Sequence, residues 1–229
     1  MKDEPVGDPL DEATLARRLS LPLKMEPVTL AGGRVRLTPL DLERDVEALL
    51  AASDGRAMTV GNRRTGPYDA DALVWRYMPG GPFTNAADMA AWLRLQVEAP
   101  NGLCLCVRDV ATGVPIGACN LMTNLPEHLK VELGNIWYGP VAQRTGANTE
   151  ATYLMLRHAF ALGYRRVEWK CDSLNARSRA AALRMGFSFE GIQESHFIIK
   201  GRNRDTAWFR MLDAEWPARR ARLEAMLAG

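Results

Sequence analysis

Val131-Glu132-Leu133-Gly134-Asn135-Ile136-Trp137-Tyr138-Gly139-Pro140-Val141-Ala142-Gln143-Arg144-Thr145-Gly146-Ala147-Asn148 reads as an apolar strand that breaks into a tight loop. A helix follows from about Asn148 to Leu162, where Gly163 stops it. Its apolar residues sit at Ala151, Leu154, Met155, Ala159 and Leu162, and again at Tyr153, Leu156 and Phe160. A helix apolar on nearly every side is a buried one. A loop that feeds a helix N-terminus presents unpaired backbone N–H groups and the positive end of the helix dipole. Phosphate oxygens fit there without lysines. Gly146 permits close approach, and Arg144 can add a charge-assisted contact. The loop lacks the Gly-Lys-Ser/Thr ending of a P-loop and the glycines of a dinucleotide fingerprint. From the loop alone, a plain turn and an anion cradle are both open.

Working outward, residues 28–38 form a strand interrupted at Ala31-Gly32-Gly33, a hairpin signal, and Thr38-Pro39 opens a helix. Residues 53–83 lose periodicity but keep Tyr68, Trp75, Tyr77 and Phe83, which marks a folded flap. Asn85 caps a helix through about Glu98. Strands at 102–109 and 114–122 flank the turn Ala111-Thr112-Gly113. After the buried helix come a strand at Arg166–Cys171, with Val167, Trp169 and Cys171 facing one way, and a helix at about Asn175–Met185. Strands near 188–199 and 205–212 and a helix from Asp213, with Pro217 in its first turn, close the chain. Residues 1–27 read as an N-terminal extension in which Asp11 caps a short helix through Leu19; residues 28–229 read as one domain.

Composition supports a single core: 229 residues are 47% hydrophobic and 24% charged. Twenty-nine Lys+Arg against 27 Asp+Glu leave +2, too balanced for a nucleic-acid binder. No run approaches the roughly 20 apolar residues of a membrane span. The N-terminus Met1-Lys2-Asp3-Glu4-Pro5 lacks the apolar core of a secretory signal. Cys104, Cys106, Cys119 and Cys171 form no CxxC pair and lie in apolar runs, so they read as reduced core residues, with no metal site and a cytoplasmic location.

The order of elements and the run Gln143-Arg144-Thr145-Gly146-Ala147-Asn148 resemble the GNAT superfamily of acyl-CoA-dependent N-acyltransferases, whose loop reads Gln/Arg-x-x-Gly-x-Gly/Ala. Gln143 and Gly146 match; Asn148 departs from the usual small residue. Asn175-Ala176-Arg177-Ser178, ending at Gly186-Phe187, resembles the next helix of that family. Glu132-Leu133-Gly134, Thr149-Glu150-Ala151 and Gly191 resemble the branch of the ribosomal-protein-alanine N-acetyltransferases. The resemblance implies an α+β fold: a mixed, mostly antiparallel central sheet with helices on both faces and a splayed pair of parallel strands, the family's fourth and fifth. It implies acetyl-CoA as co-substrate, its pyrophosphate cradled by Arg144, Thr145, Gly146, Ala147 and Asn148 behind Gln143. Backbone groups of Trp137 and Tyr138 would meet the pantetheine arm, as would Asn175, with Ser178 close to the thioester.

Direct transfer needs a neutral amine, a polarised carbonyl and a route for a proton. Glu132, just ahead of the splay, is the first choice of base. Many members place a tyrosine acid on the helix after Asn175; this chain has none there, which leaves Ser178. Trp75, Tyr77, Phe83, Trp137 and His196 are candidate liners of the acceptor pocket. His158 reads as a core histidine, Asp205 as a turn residue and the basic run 200–204 as a solvated turn. The acceptor is expected to be a primary amine on a small molecule, an aminoacyl compound or a protein N-terminus. A CoA-binding regulatory module without catalysis is the alternative, and succinyl-CoA is a second donor to consider. Family members are often dimers, and strands near the C-terminus could pair between chains.

Overall fold

The structure, a computed structural model, describes residues 7–229, so the reading of Met1–Pro5 lies outside the described residues. The chain forms α1 (Glu12–Ser20), β1 (Leu30–Ala31), β2 (Val35–Pro39), α2 (Leu42–Ala51), β3 (Met58–Val60), β4 (Arg63–Thr65), a π-helical turn (Asp71–Trp75) and α3 (Ala86–Val97). It continues with β5 (Leu103–Asp109), β6 (Pro115–Leu125), β7 (Lys130–Tyr138), α4 (Ala147–Ala161), β8 (Arg166–Asp172), α5 (Ala176–Arg184), β9 (Ser188–Ile199), β10 (Arg202–Leu212) and α6 (Trp216–Ala228).

Eight strands make one sheet in the order β1-β2-β5-β6-β7-β8-β10-β9, and β7–β8 is its parallel pair. The other neighbours are antiparallel, and helices cover both faces as expected. Period-2 alternation sends side chains to opposite faces of each strand. In β5, Leu103, Leu105 and Val107 enter the core beneath α4 and α6, while Cys104 and Cys106 enter the one beneath α2 and α3. In α4, Glu150 through Leu156 are all buried, the consequence of its all-round apolar surface.

Helix starts follow side-chain caps: Asp11, Asp41, Asn85 and Asn175 each accept a bond from a first-turn N–H. One start differs from the expectation. Pro39 stays in β2 opposite Leu105, and α2 opens at Asp41 rather than at Thr38-Pro39. The N-terminal segment reaches the core through Met25, and Asn124 donates to the carbonyls of Pro22 and Leu23 at 2.9 Å.

Candidate active site

At the end of β7 the chain turns through Pro140–Ala142 into a loop with two left-handed residues, Arg144 (φ 62°) and Gly146 (φ 83°), before α4 begins at Ala147. Alternating hand in successive residues aims their N–H groups to one side, the geometry of an anion nest. Among the described residues, the amides of Arg144, Thr145, Gly146 and Asn148 have no internal acceptor. Thr145 Oγ1 donates to the Ala142 carbonyl at 2.6 Å and pins the loop. Gly146 is needed because its φ would strain any side chain. Asn148, the departure from the family pattern, turns its side chain toward Thr152 and leaves its amide free.

The cradle has an anchor that the sequence did not announce. Glu150, 6% exposed in the first turn of α4, accepts the amides of Gly33, Arg34 and Val35 at 3.0, 2.7 and 2.7 Å. One carboxylate thereby fastens the β1–β2 hairpin to the start of α4. Glu150 stood out only within a family-like triplet, and no local pattern marks a partner more than 110 residues away.

Beside the cradle the sheet opens. β7 and β8 pair from Lys130–Arg166 to Leu133–Trp169 and then separate, while β8 stays on β10 as far as Asp172. The register of β7 on β6 jumps between Gly134–Asn120 and Trp137–Ala118, so Asn135 (φ 48°) and Ile136 share one opposing residue, a β-bulge. The Gly139 amide donates to the Ile116 carbonyl. By alternation, Trp137 has its backbone in the β6 ladder, whereas Ile136 and Tyr138 turn theirs to the opening. The Tyr138 carbonyl is taken by the Gln143 side chain at 3.1 Å. Across the opening, Asn175 Oδ1 caps α5 through the Ser178 amide, and Ser178 Oγ accepts from the Trp169 indole at 3.1 Å.

Glu132 lies on the last rungs before the separation and is 2% exposed. Its carboxylate holds Lys170 Nζ at 2.9 Å and accepts from Thr123 Oγ1 at 3.3 Å. Burial pushes its pKa above the ordinary carboxylate value, against the pull of Lys170. A raised pKa suits a group that must take and return a proton.

Of the expected pocket liners, Trp75, Phe83 and Trp137 meet: Trp75 stands 5.1 Å from Phe83 and 4.8 Å from Trp137, with Trp92 of α3 at 5.6 Å. Trp75 is fully buried and donates to the Ser53 carbonyl, so it works as core. Tyr77 is half-buried on the flap. His196 belongs to a different group, beside Phe197 and Trp208 on the β9–β10 hairpin. Burial lowers its pKa, and Lys170 and Arg204 add to the effect.

The flap itself crosses the opening. Gln143 donates to the Leu73 carbonyl at 3.1 Å, Arg177 of α5 to Ala72 at 2.9 Å, and Lys200 at the hairpin tip to Trp75 at 2.8 Å. Three elements on both sides of the splay therefore grip one π-helical turn. All four cysteines are buried and free, and burial lifts the Cys104 thiol to about 12, so it supplies no thiolate nucleophile near neutrality. Among the described residues no group of three or more His, Cys, Asp or Glu could hold a metal, and no helix is long and apolar enough to cross a membrane.

Parallel strands driven apart past a bulge, next to a nest of bare amides on a buried helix, are the layout of an acetyltransferase that draws its acyl group from a CoA thioester. The sequence profile of the Acetyltransferase (GNAT) domain matches residues 34–188, and the chain belongs to that family. It is similar to the crystal structure of a GCN5-related N-acetyltransferase from Brucella melitensis, at 38% identity and TM-score 0.78, over 88% of this chain and 86% of that one. A GNAT-family protein from Chromobacterium violaceum ATCC 12472 shares 32% identity at TM-score 0.77, over 95% of this chain and all of its own. The microcin C7 self-immunity acetyltransferase MccE, solved with acetyl-CoA and AMP, shares the fold at 18% identity and TM-score 0.63, over 79% and 93%. No curated protein sequence matches the chain.

Proposed function

We propose that this acetyltransferase passes the acetyl group of acetyl-CoA directly to a primary amine, with Glu132 as the proton acceptor. The observation that carries the reading is the placement of a buried carboxylate on the last rungs before the splay, on the strand whose bulge opens it. Arg144, Thr145, Gly146 and Asn148 would hold the pyrophosphate with their free backbone amides and the dipole of α4, with Ala147, whose amide meets Thr145 Oγ1, forming the floor of the cradle. Ile136 and Tyr138 offer backbone groups to the pantetheine arm, and Asn175 keeps its amide nitrogen for the same arm while its oxygen caps α5.

In the transfer, a backbone N–H of the splayed strand polarises the thioester carbonyl. The amine nitrogen bonds to the carbonyl carbon, its proton goes to Glu132, and the carbon–sulfur bond breaks. The Ser178 hydroxyl accepts from Trp169 and can offer a hydrogen bond to the departing thiolate, which takes its proton from solvent. A thiol leaving group gains little from an acid because its pKa is already near about 8.5 by analogy with cysteine. The absence of a tyrosine on α5 is therefore compatible with turnover.

The test is thiol release from acetyl-CoA, and from succinyl-CoA, across a panel of alkylamines, amino-acid amides and peptides with free N-termini. Release that depends on an amine and on Glu132 supports the reading. Release indifferent to every amine, or unchanged in Glu132→Gln, refutes it.

A further inference from the structure

We propose that Lys170 is a positioning residue for the transfer, holding Glu132 as a carboxylate beneath the splay so that it can take the amine's proton. The proposal rests on Glu132 being the proton acceptor.

Lys170 reaches Glu132 from β8, and its ammonium has no other carboxylate within ion-pair distance among the described residues. Its remaining surroundings are aromatic: the nitrogen stands 5.2 Å from the Trp208 ring centroid and 5.6 Å from that of Phe197. Trp208 lies directly opposite Lys170 on β10. Phe197 comes within reach because β9 bulges, its residues 194–196 standing against Asp205 alone. Ring faces attract a cation without supplying a competing anion. The charge of Lys170 is thus directed at one carboxylate.

The neighbouring charges are arranged to the same end. Glu168, cross-strand from Glu132, would repel it, but Glu168 has its own cations, Arg166 at 2.7 Å and Lys130 at 3.4 Å. His196 and Arg204, on the ammonium side, bring positive character or none. Lys170 and Thr123 both use Glu132 Oε2, so Oε1 keeps its acceptor capacity. That free oxygen leans over Gly134, where a Cβ would stand 2.9 Å from it and 2.4 Å from Met122 Sδ. A carboxyl buried without a cation would revert to the neutral acid, and an acid cannot accept a proton.

The experiment is the pH profile of kcat/KM, with one weakly basic amine acceptor that stays neutral over the range scanned and so adds no acid limb of its own, for the wild type, Lys170→Met, Lys170→Arg and Glu132→Gln. Acetyl-CoA binding by calorimetry serves as a control. Lys170→Met is expected to move the acid limb upward by about one pH unit, a loss of about tenfold on the limb itself that narrows to nothing on the plateau above it. Lys170→Arg should keep the limb, and the control should not move. Trp208→Leu keeps both charges and should shift the limb in the same direction by less, which gives a second reading where Lys170→Met folds poorly. A Lys170→Met or Trp208→Leu loss that is equal at every pH, with the acid limb abolished in Glu132→Gln, overturns the role of Lys170 and leaves the base in place. An acid limb unchanged in Glu132→Gln removes the base, and the proposal falls with it.

Discussion

Replacing Glu150 by Gln changes almost no volume, yet it addresses the joint between the cofactor cradle and the rest of the sheet. The carboxylate accepts three backbone amides: Gly33 at Oε1, and Arg34 and Val35 at Oε2. A carboxamide has one acceptor oxygen. Turned to keep the two bonds at Oε2, it aims an NH2 group at the Gly33 amide, donor against donor. Hydrogen bonds to a charged acceptor are worth about 1.5–3 kcal/mol each and neutral ones about 1 kcal/mol. One bond is lost and two are weakened, while easier desolvation of the neutral amide offsets part of the loss. The net cost is about 2–4 kcal/mol.

For a chain of this size that converts to a fall in melting temperature of roughly 5–15 °C. The functional effect follows from the same joint. The Glu150 amide closes the first turn of α4 onto the Gly146 carbonyl, so loosening the side chain loosens the loop that offers the bare amides. Acetyl-CoA affinity should fall about fivefold, close to 1 kcal/mol. Differential scanning calorimetry and an acetyl-CoA titration on the same preparation read both numbers. A Glu150→Gln protein that melts within about 2 °C of the wild type would refute the reasoning.

Two further outcomes test the cradle and the flap. Gly146→Trp places a side chain where φ is 83° and a Cβ already meets Arg34 at 3.3 Å; it should stay folded at a strain of about 1–2 kcal/mol and lose acetyl-CoA binding, whereas unchanged binding would remove the cradle. Lys200→Met releases the Trp75 carbonyl from the hairpin tip, and the KM for the amine should rise by about fivefold, roughly one hydrogen bond, with acetyl-CoA affinity preserved. Amide exchange across Asp71–Trp75 should quicken in that variant; exchange at the wild-type rate would mean the bond does not hold the flap.

The strand–loop–helix unit and the helix caps were legible because their signals are local. Asn85 and Asn175 begin helices because a side-chain oxygen within three residues meets a bare N–H. The start of α2 was misread for the complementary reason. Thr38-Pro39 has the look of a helix opening, but pairing with β5 claims Pro39, and Asp41 inherits the cap. Contacts that cross the sheet left no trace in one sequence. Glu150 and Lys170 look like ordinary members of a helix and an alternating strand until the fold brings them to the hairpin amides and to Glu132. Trp92, inside the helix that Asn85 caps, carries no local mark of its place in the aromatic cluster of Trp75. The flap was recognisable from its aromatics, but its grip on the opening depends on Gln143, Arg177 and Lys200, which lie 70, 104 or 105, and 125 residues from the carbonyls they hold.

The bulge in β7 reconciles two demands that a regular strand cannot meet. Val131 and Leu133 pack into the core beneath α4, so Glu132 and Gly134 face the other side. Unbroken alternation would keep odd-numbered residues in that core, with Trp137 under α4 and Tyr138 on the Glu132 side. The extra residue at 135–136 reverses the phase: Tyr138 joins the core beneath α4, and Trp137 joins the aromatic cluster of the flap. The phase change leaves Glu132 and Trp137 on one face of the same strand, the acid below the opening and the indole against the flap. The same irregularity turns the backbone of Ile136 and Tyr138 away from β6 and toward the space that β8 vacates. One inserted residue thus couples the orientation of the base, the wall of the acceptor side and the exposed edge for the cofactor arm. A substitution that restored regular pairing there would disturb all three together.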